Sequence, residues 1–135
     1  MVIAENRTIL KTASGAQLIV AEQTTLKLTA SLVDESGTAI PSSALNTLTL
    51  TLYNRDSATK EIINSVNGVN ILNTGRGTVH ATNGTVTVTL LPADNAIVNS
   101  SADLEWHRAL IQGTYETVKA FRYEIEFQVR NLSKV

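Results

Sequence analysis

Glu105-Trp106-His107-Arg108 is the densest group of reactive side chains in the sequence. On a strand, Glu105 and His107 share one face and Trp106 and Arg108 share the other. A carboxylate beside an imidazole is half of an acid–base pair, or two of the three protein ligands of a catalytic metal. Both uses need a further partner. The only other histidine, His80, sits in a separate segment, and nothing in the sequence brings it near. The expectation is a structural Glu–His pair at the edge of a core. Trp106, on the opposite face, would cover apolar area under a loop or at a subunit contact.

Three other motifs carry less. Asp34-Glu35-Ser36-Gly37 and Asp94-Asn95 offer oxygens, but a calcium ion takes six to eight, and neither run has the spacing of a calcium loop. They are read as turns. Gly75-Arg76-Gly77 lacks the lysine and the following helix of a phosphate-binding glycine loop. There is no Gly-x-Ser-x-Gly elbow and no paired-carboxylate motif. No cysteine is present, so disulfides, thiolate zinc sites and cysteine nucleophiles are excluded. We therefore expect no enzyme: no catalytic residue, no cofactor and no metal.

The net charge is −1, with Lys and Arg scattered. A sequence-independent grip on nucleic acid needs concentrated positive charge, so no direct nucleic-acid partner is expected. No apolar run approaches the roughly 18 residues that span a bilayer. The first residues show no charged region followed by an apolar run, so no secretory leader is expected. The lack of cysteine agrees with assembly in a reducing cytoplasm.

The elements that must position these residues read as strands. In residues 120–132, Phe121, Tyr123, Ile125, Phe127 and Val129 alternate with Arg122, Glu124, Glu126, Gln128 and Arg130. A period of two places the first set on a core and the second in water. Residues 103–115 form a long extended run that pairs with it as a hairpin. Residues 24–33 alternate with Leu26, Leu28, Ala30 and Leu32 inward. Residues 47–53 do the same with Leu48, Leu50 and Leu52. Residues 17–20 make a further strand, and 61–64 begin another. Thr82-Asn83-Gly84 between Thr/Val runs is a strong hairpin signal. Residues 34–38 turn tightly, with Gly37 free to take positive φ. Residues 67–77, rich in Asn and Gly, read as the longest irregular loop. Pro92 ends the ladder that precedes it. A hydrophobic share of 43% in 135 residues suits one domain with one core. The expected fold is an all-β, single-domain antiparallel β-sandwich of seven or eight strands. Residues 1–12 are an N-terminal arm or short first strand, and residues 13–135 are the sandwich.

Several segments come in a characteristic order. They are Leu50-Thr51-Leu52-Tyr53-Asn54-Arg55-Asp56, Ile62-Ile63-Asn64, Asn70-Ile71-Leu72-Asn73 and Leu91-Pro92-Ala93-Asp94-Asn95-Ala96-Ile97-Val98. Glu105-Trp106-His107-Arg108-Ala109-Leu110 and Glu124-Ile125-Glu126-Phe127-Gln128-Val129-Arg130-Asn131-Leu132 follow. In pattern and order, over residues 26–135, the chain resembles small proteins from the structural gene clusters of tailed bacteriophages. The resemblance implies an immunoglobulin-like or related Greek-key sandwich. It implies a non-enzymatic virion subunit of the head surface, the neck or the tail, assembled in the host cytoplasm. It also implies homo-oligomers and contacts to capsid, portal, neck or tail proteins. The expected subunit contacts are Val2, Ile3, Ile9 and Leu10 in the arm, Trp106, and Asn70 and Arg76 in the Asn/Gly-rich loop. The alternative is a carbohydrate- or receptor-binding sandwich using Trp106, Tyr53 and Tyr115.

Overall fold

The computed structural model describes residues 7–9 and 18–134. Nine strand segments are present among them: β1 (Arg7–Ile9), β2 (Ile19–Ala21), β3 (Leu26–Ser31), β4 (Leu45–Asn54), β5 (Val69–Asn70), β6 (Gly77–Val79), β7 (Thr85–Leu90), β8 (Leu104–Tyr115) and β9 (Lys119–Arg130). Helical structure among the described residues is limited to single 3₁₀ turns. The larger sheet runs β1-β9-β8-β4-β5, and the smaller runs β3-β7-β6. β2 follows β1 along the same edge of β9: β1 faces Glu124 to Glu126 and β2 faces Gln128 to Arg130. Nine segments thus fill eight strand positions. With β3, β7 and β6 opposite β9, β8 and β4, this is the Greek-key strand order of an immunoglobulin-like sandwich.

The sandwich is not wholly antiparallel as expected, because β1 and β2 run parallel to β9. Parallel neighbours need no tight turn between them, and here the two partners come from opposite ends of the chain. Pairing with β9 also places Arg7–Ile9 on this domain's own sheet.

One apolar cluster joins the sheets. Leu28, Ala30, Leu32, Val86, Val88 and Leu90 come from the smaller sheet, and Leu48, Leu50, Leu52, Ile111, Ile125, Phe127 and Val129 from the larger. Each of the Leu, Ile, Val and Phe side chains among them contributes about 1.5 to 3 kcal/mol by leaving water. β8 and β9 pair along their whole length, from Leu104 opposite Arg130 to Tyr115 opposite Lys119. The β6–β7 hairpin turns at Asn83-Gly84 as expected. Gly84 has φ +74°, and a Cβ there would lie 2.7 Å from the Leu32 carbonyl oxygen, so glycine is required. At the 34–38 turn, Asp34 Oδ1 accepts from the amides of Ser36 and Thr38.

Three expectations are corrected. Residues 61–64 do not extend into a strand. Ile62 makes a single bridge to Tyr53, then Asn64 and Ser65 take φ of 52° and 56°, which ends an extended path. Residues 67–77 are not wholly irregular: Val69 and Asn70 form β5, and the segment packs inward. Ile71 is fully buried, and a Cβ on Gly77 would overlap it. On β9 the inward set is right, but burial is uneven: Ile125, Phe127 and Val129 are buried while Phe121 and Tyr123 are half-buried. The smaller sheet is about half as long as β8 and β9, so it does not cover their full length.

Candidate functional site

The Glu105–His107 pair is real and internal. Both residues are 1% exposed, and Nε2 of His107 lies 2.6 Å from Oε1 of Glu105. A carboxylate only accepts, so Nε2 carries the proton in this bond. Glu105 also accepts from the amides of Val98 (2.9 Å, Oε1) and Asn99 (2.7 Å, Oε2). The His107 ring stands edge-on to Phe127, with centroids 5.8 Å apart. Glu105 therefore ties the 96–103 loop to the end of β8. His80 has a separate task at the β6–β7 turn, where its Nδ1 accepts from the amides of Thr82 and Asn83. Among the described residues no group of three or more His, Asp or Glu is placed to hold a metal ion.

Glu105 backs a recess of about 270 Å³ that Asn54, Asp56, Ser57, Glu61 and Asn99 also line. Several of its acceptors serve the backbone already. Asp56 Oδ2 takes the Trp106 amide and Asn54 Oδ1 takes the Asp56 amide, each at 3.0 Å. The recess is built from turn-closing groups.

Asp94, within the turn expected at this position, is the centre of a second internal cluster. It is 0% exposed. Arg76 grips it with two bonds, Nε to Oδ2 at 2.6 Å and Nη2 to Oδ1 at 2.9 Å. Asn64 Nδ2 and the Leu91 amide complete its shell at 2.8 Å each. One carboxylate thus fixes three separate loops. The local signal is Leu91-Pro92-Ala93-Asp94, where an acid in the first turn can take the amide that precedes the proline. Nothing local marks Arg76 as its partner.

The outer face of the larger sheet carries a third cluster. Tyr53, Arg108 and Glu126 lie in one row across β4, β8 and β9. Glu126 was expected in water, yet it is 1% exposed. Arg55 Nε lies 2.7 Å from it and Arg108 Nη2 3.3 Å, so two guanidinium groups cover it. Arg108 also donates to the Tyr53 hydroxyl at 2.8 Å. Arg55 stacks 4.8 Å from the Trp106 ring centre, and Lys60 lies 5.7 Å from that of Tyr53.

The expected contact residues separate accordingly. Trp106 is half-buried beneath Arg55. Arg76 is paired with Asp94, and its side chain is 22% exposed. Asn70 is exposed on β5, where its Oδ1 accepts the Leu72 amide. Ile9 is in β1, paired with Glu126. Val2, Ile3 and Leu10 lie outside the described residues.

The electrostatics give a pH prediction. Burial pushes the Glu105 carboxyl up, but His107 and the two amides outweigh it and leave it below the ordinary 4.5. Burial likewise pushes Asp94 up, and Arg76, Asn64 and the Leu91 amide bring it below the ordinary 3.8. A depressed folded-state value means the native state holds protons less tightly than the unfolded one. The stabilisation is then complete above about pH 4.5 and is lost as pH falls below the ordinary values of these two groups. Urea midpoints should be flat above that range and fall steeply below it. Midpoints that stay level down to pH 3 would contradict these two anchors.

No protein-family model matches the chain, and no curated protein is significantly similar to it.

Proposed function

We propose that this chain is a non-enzymatic structural subunit, present in many copies, of a tailed-bacteriophage particle at the head surface, neck or tail. The observation that carries the structural part is the use made of its buried charges. Glu105 holds backbone amides of the adjoining 96–103 loop, and Asp94 and Glu126 hold guanidinium groups from more distant segments. Ionic groups spent this way fix loops to sheets and give each copy the same surface, which a repeating assembly requires. Among the described residues the β-sandwich has no arrangement that looks catalytic. The particle setting rests on the order of segments that resembles phage structural proteins.

The carbohydrate-binding alternative is less well supported. Sugar stacking needs open aromatic faces, but cations cover Trp106 and Tyr53. Tyr115 is buried, with its hydroxyl on Glu35. Deleting the gene from the phage that carries it tests the proposal. Electron micrographs should show particles lacking one feature of head, neck or tail, or heads and tails left unjoined. Normal, infectious particles would refute it, and specific signals on a glycan array would favour the alternative.

A further inference from the structure

The chain contains two Asn-Gly steps, Asn67-Gly68 and Asn83-Gly84. An asparagine followed by glycine carries its own reaction partner, because the glycine nitrogen can add to the side-chain Cγ and close a five-membered ring. Glycine permits the approach, having no Cβ to obstruct it or restrict the backbone. Both asparagines are exposed, and both follow a β-branched residue, Val66 and Thr82. Local sequence therefore gives no reason for the two to react differently. Their hydrogen bonding does.

At Asn67 the attacking nitrogen is occupied. The Gly68 amide donates to Thr51 Oγ1 at 2.9 Å, and that bond must break before the nitrogen can lose its proton. At Asn83 the arrangement is reversed. The Gly84 amide has no acceptor among the described residues, while its carbonyl is fixed by the Leu32 amide at 2.9 Å. Asn83 Oδ1 accepts the Thr85 amide at 2.9 Å. To reach that amide the side chain folds back across the Gly84 nitrogen, the atom that closes the ring. The same bond puts a donor on the oxygen where negative charge develops as the nitrogen adds.

We propose that Asn83 is a site of spontaneous modification by its own backbone. The Gly84 nitrogen bonds to Asn83 Cγ, the Cγ–Nδ2 bond breaks, and Nδ2 leaves as ammonia with the proton the Gly84 amide has given up. The succinimide then adds one water and opens to aspartate or isoaspartate. Either product brings a negative charge to the β6–β7 turn. Isoaspartate also routes the backbone through the side chain, which lengthens it by one atom. The turn has no room for this, since even a Cβ on Gly84 would lie 2.7 Å from the Leu32 carbonyl oxygen and 3.1 Å from the Ile40 nitrogen. Aspartate keeps an oxygen for the Thr85 amide, so the isoaspartate form is the destabilised one.

Peptide mapping by mass spectrometry tests the proposal on purified protein held in mildly alkaline buffer, both folded and in urea. In urea the two sites should convert at similar rates. In the folded protein Asn83 should convert roughly tenfold faster than Asn67, the scale of one hydrogen bond that must first be broken. Thr51→Val, which removes the acceptor of the Gly68 amide, should speed Asn67 and leave Asn83 unchanged. Protein carrying isoaspartate at position 83 should melt below fresh protein, whereas Asn83→Asp should melt close to it. Equal rates in the folded protein, a faster Asn67, or an Asn83 that converts only in urea would each overturn the proposal. An Asn67 rate unmoved by Thr51→Val would overturn the stated cause of the difference, and an isoaspartate form as stable as fresh protein would overturn its stated consequence.

Discussion

Phe127→Ala is expected to lower stability by about 3 to 5 kcal/mol, a fall in melting temperature of roughly 10 to 20 °C for a domain of this size. Phe127 is completely buried on the long strand β9, and its ring meets the His107 imidazole edge-on. Truncation removes its buried surface and leaves a cavity between rigid strands. Neither β8 nor β9 can shift to fill it without breaking a ladder twelve residues long. The same change would also loosen the packing that holds His107 against Glu105. Urea denaturation with the slope unchanged is the appropriate measurement. A loss below about 1 kcal/mol would mean that this side chain is not part of the core.

Glu105→Ala should cost a similar amount, about 3 to 5 kcal/mol. The cost arises differently. Three donors lose their acceptor together: Nε2 of His107 and the amides of Val98 and Asn99. Unpaired donors in a buried site carry their full desolvation penalty. The damage should be local as well as global, because Glu105 is what holds the 96–103 loop to β8. Hydrogen exchange at Val98 and Asn99 should accelerate well beyond the change in global stability. Glu105→Gln should recover part of the loss, since its carbonyl oxygen still accepts while its amide faces a donor. An alanine variant with native exchange at both amides would show that Glu105 is not the anchor.

What was legible in the sequence follows the range of the physics. The alternation on β9 and β3 is a local property, and so is the Asn83-Gly84 turn, where positive φ selects glycine. The placement of Glu105 and His107 on one strand face was equally readable, and a structural pair was the expected result. Long-range partners were not readable. Asp94 looked like a turn residue because Arg76 and Asn64 reach it from segments 18 and 30 residues away. Glu126 looked solvated because its alternation is that of an outward residue. It does point outward, and Arg55 and Arg108 then cover it. The Arg76 pair shows the same limit: a lone arginine in a glycine-rich loop gives no sign of a buried acid elsewhere. The parallel pairing of β1 and β2 with β9 joins opposite ends of the chain, and no local pattern encodes it.

Quantitative mass spectrometry of gradient-purified particles, induced from or propagated on the strain whose genome carries this gene, tests the central claim most directly. The account predicts that this chain is retained in the particles at a fixed, multiple-copy ratio to the major capsid protein, constant between preparations. Its absence from particles, or a trace amount that varies and washes away, would contradict it.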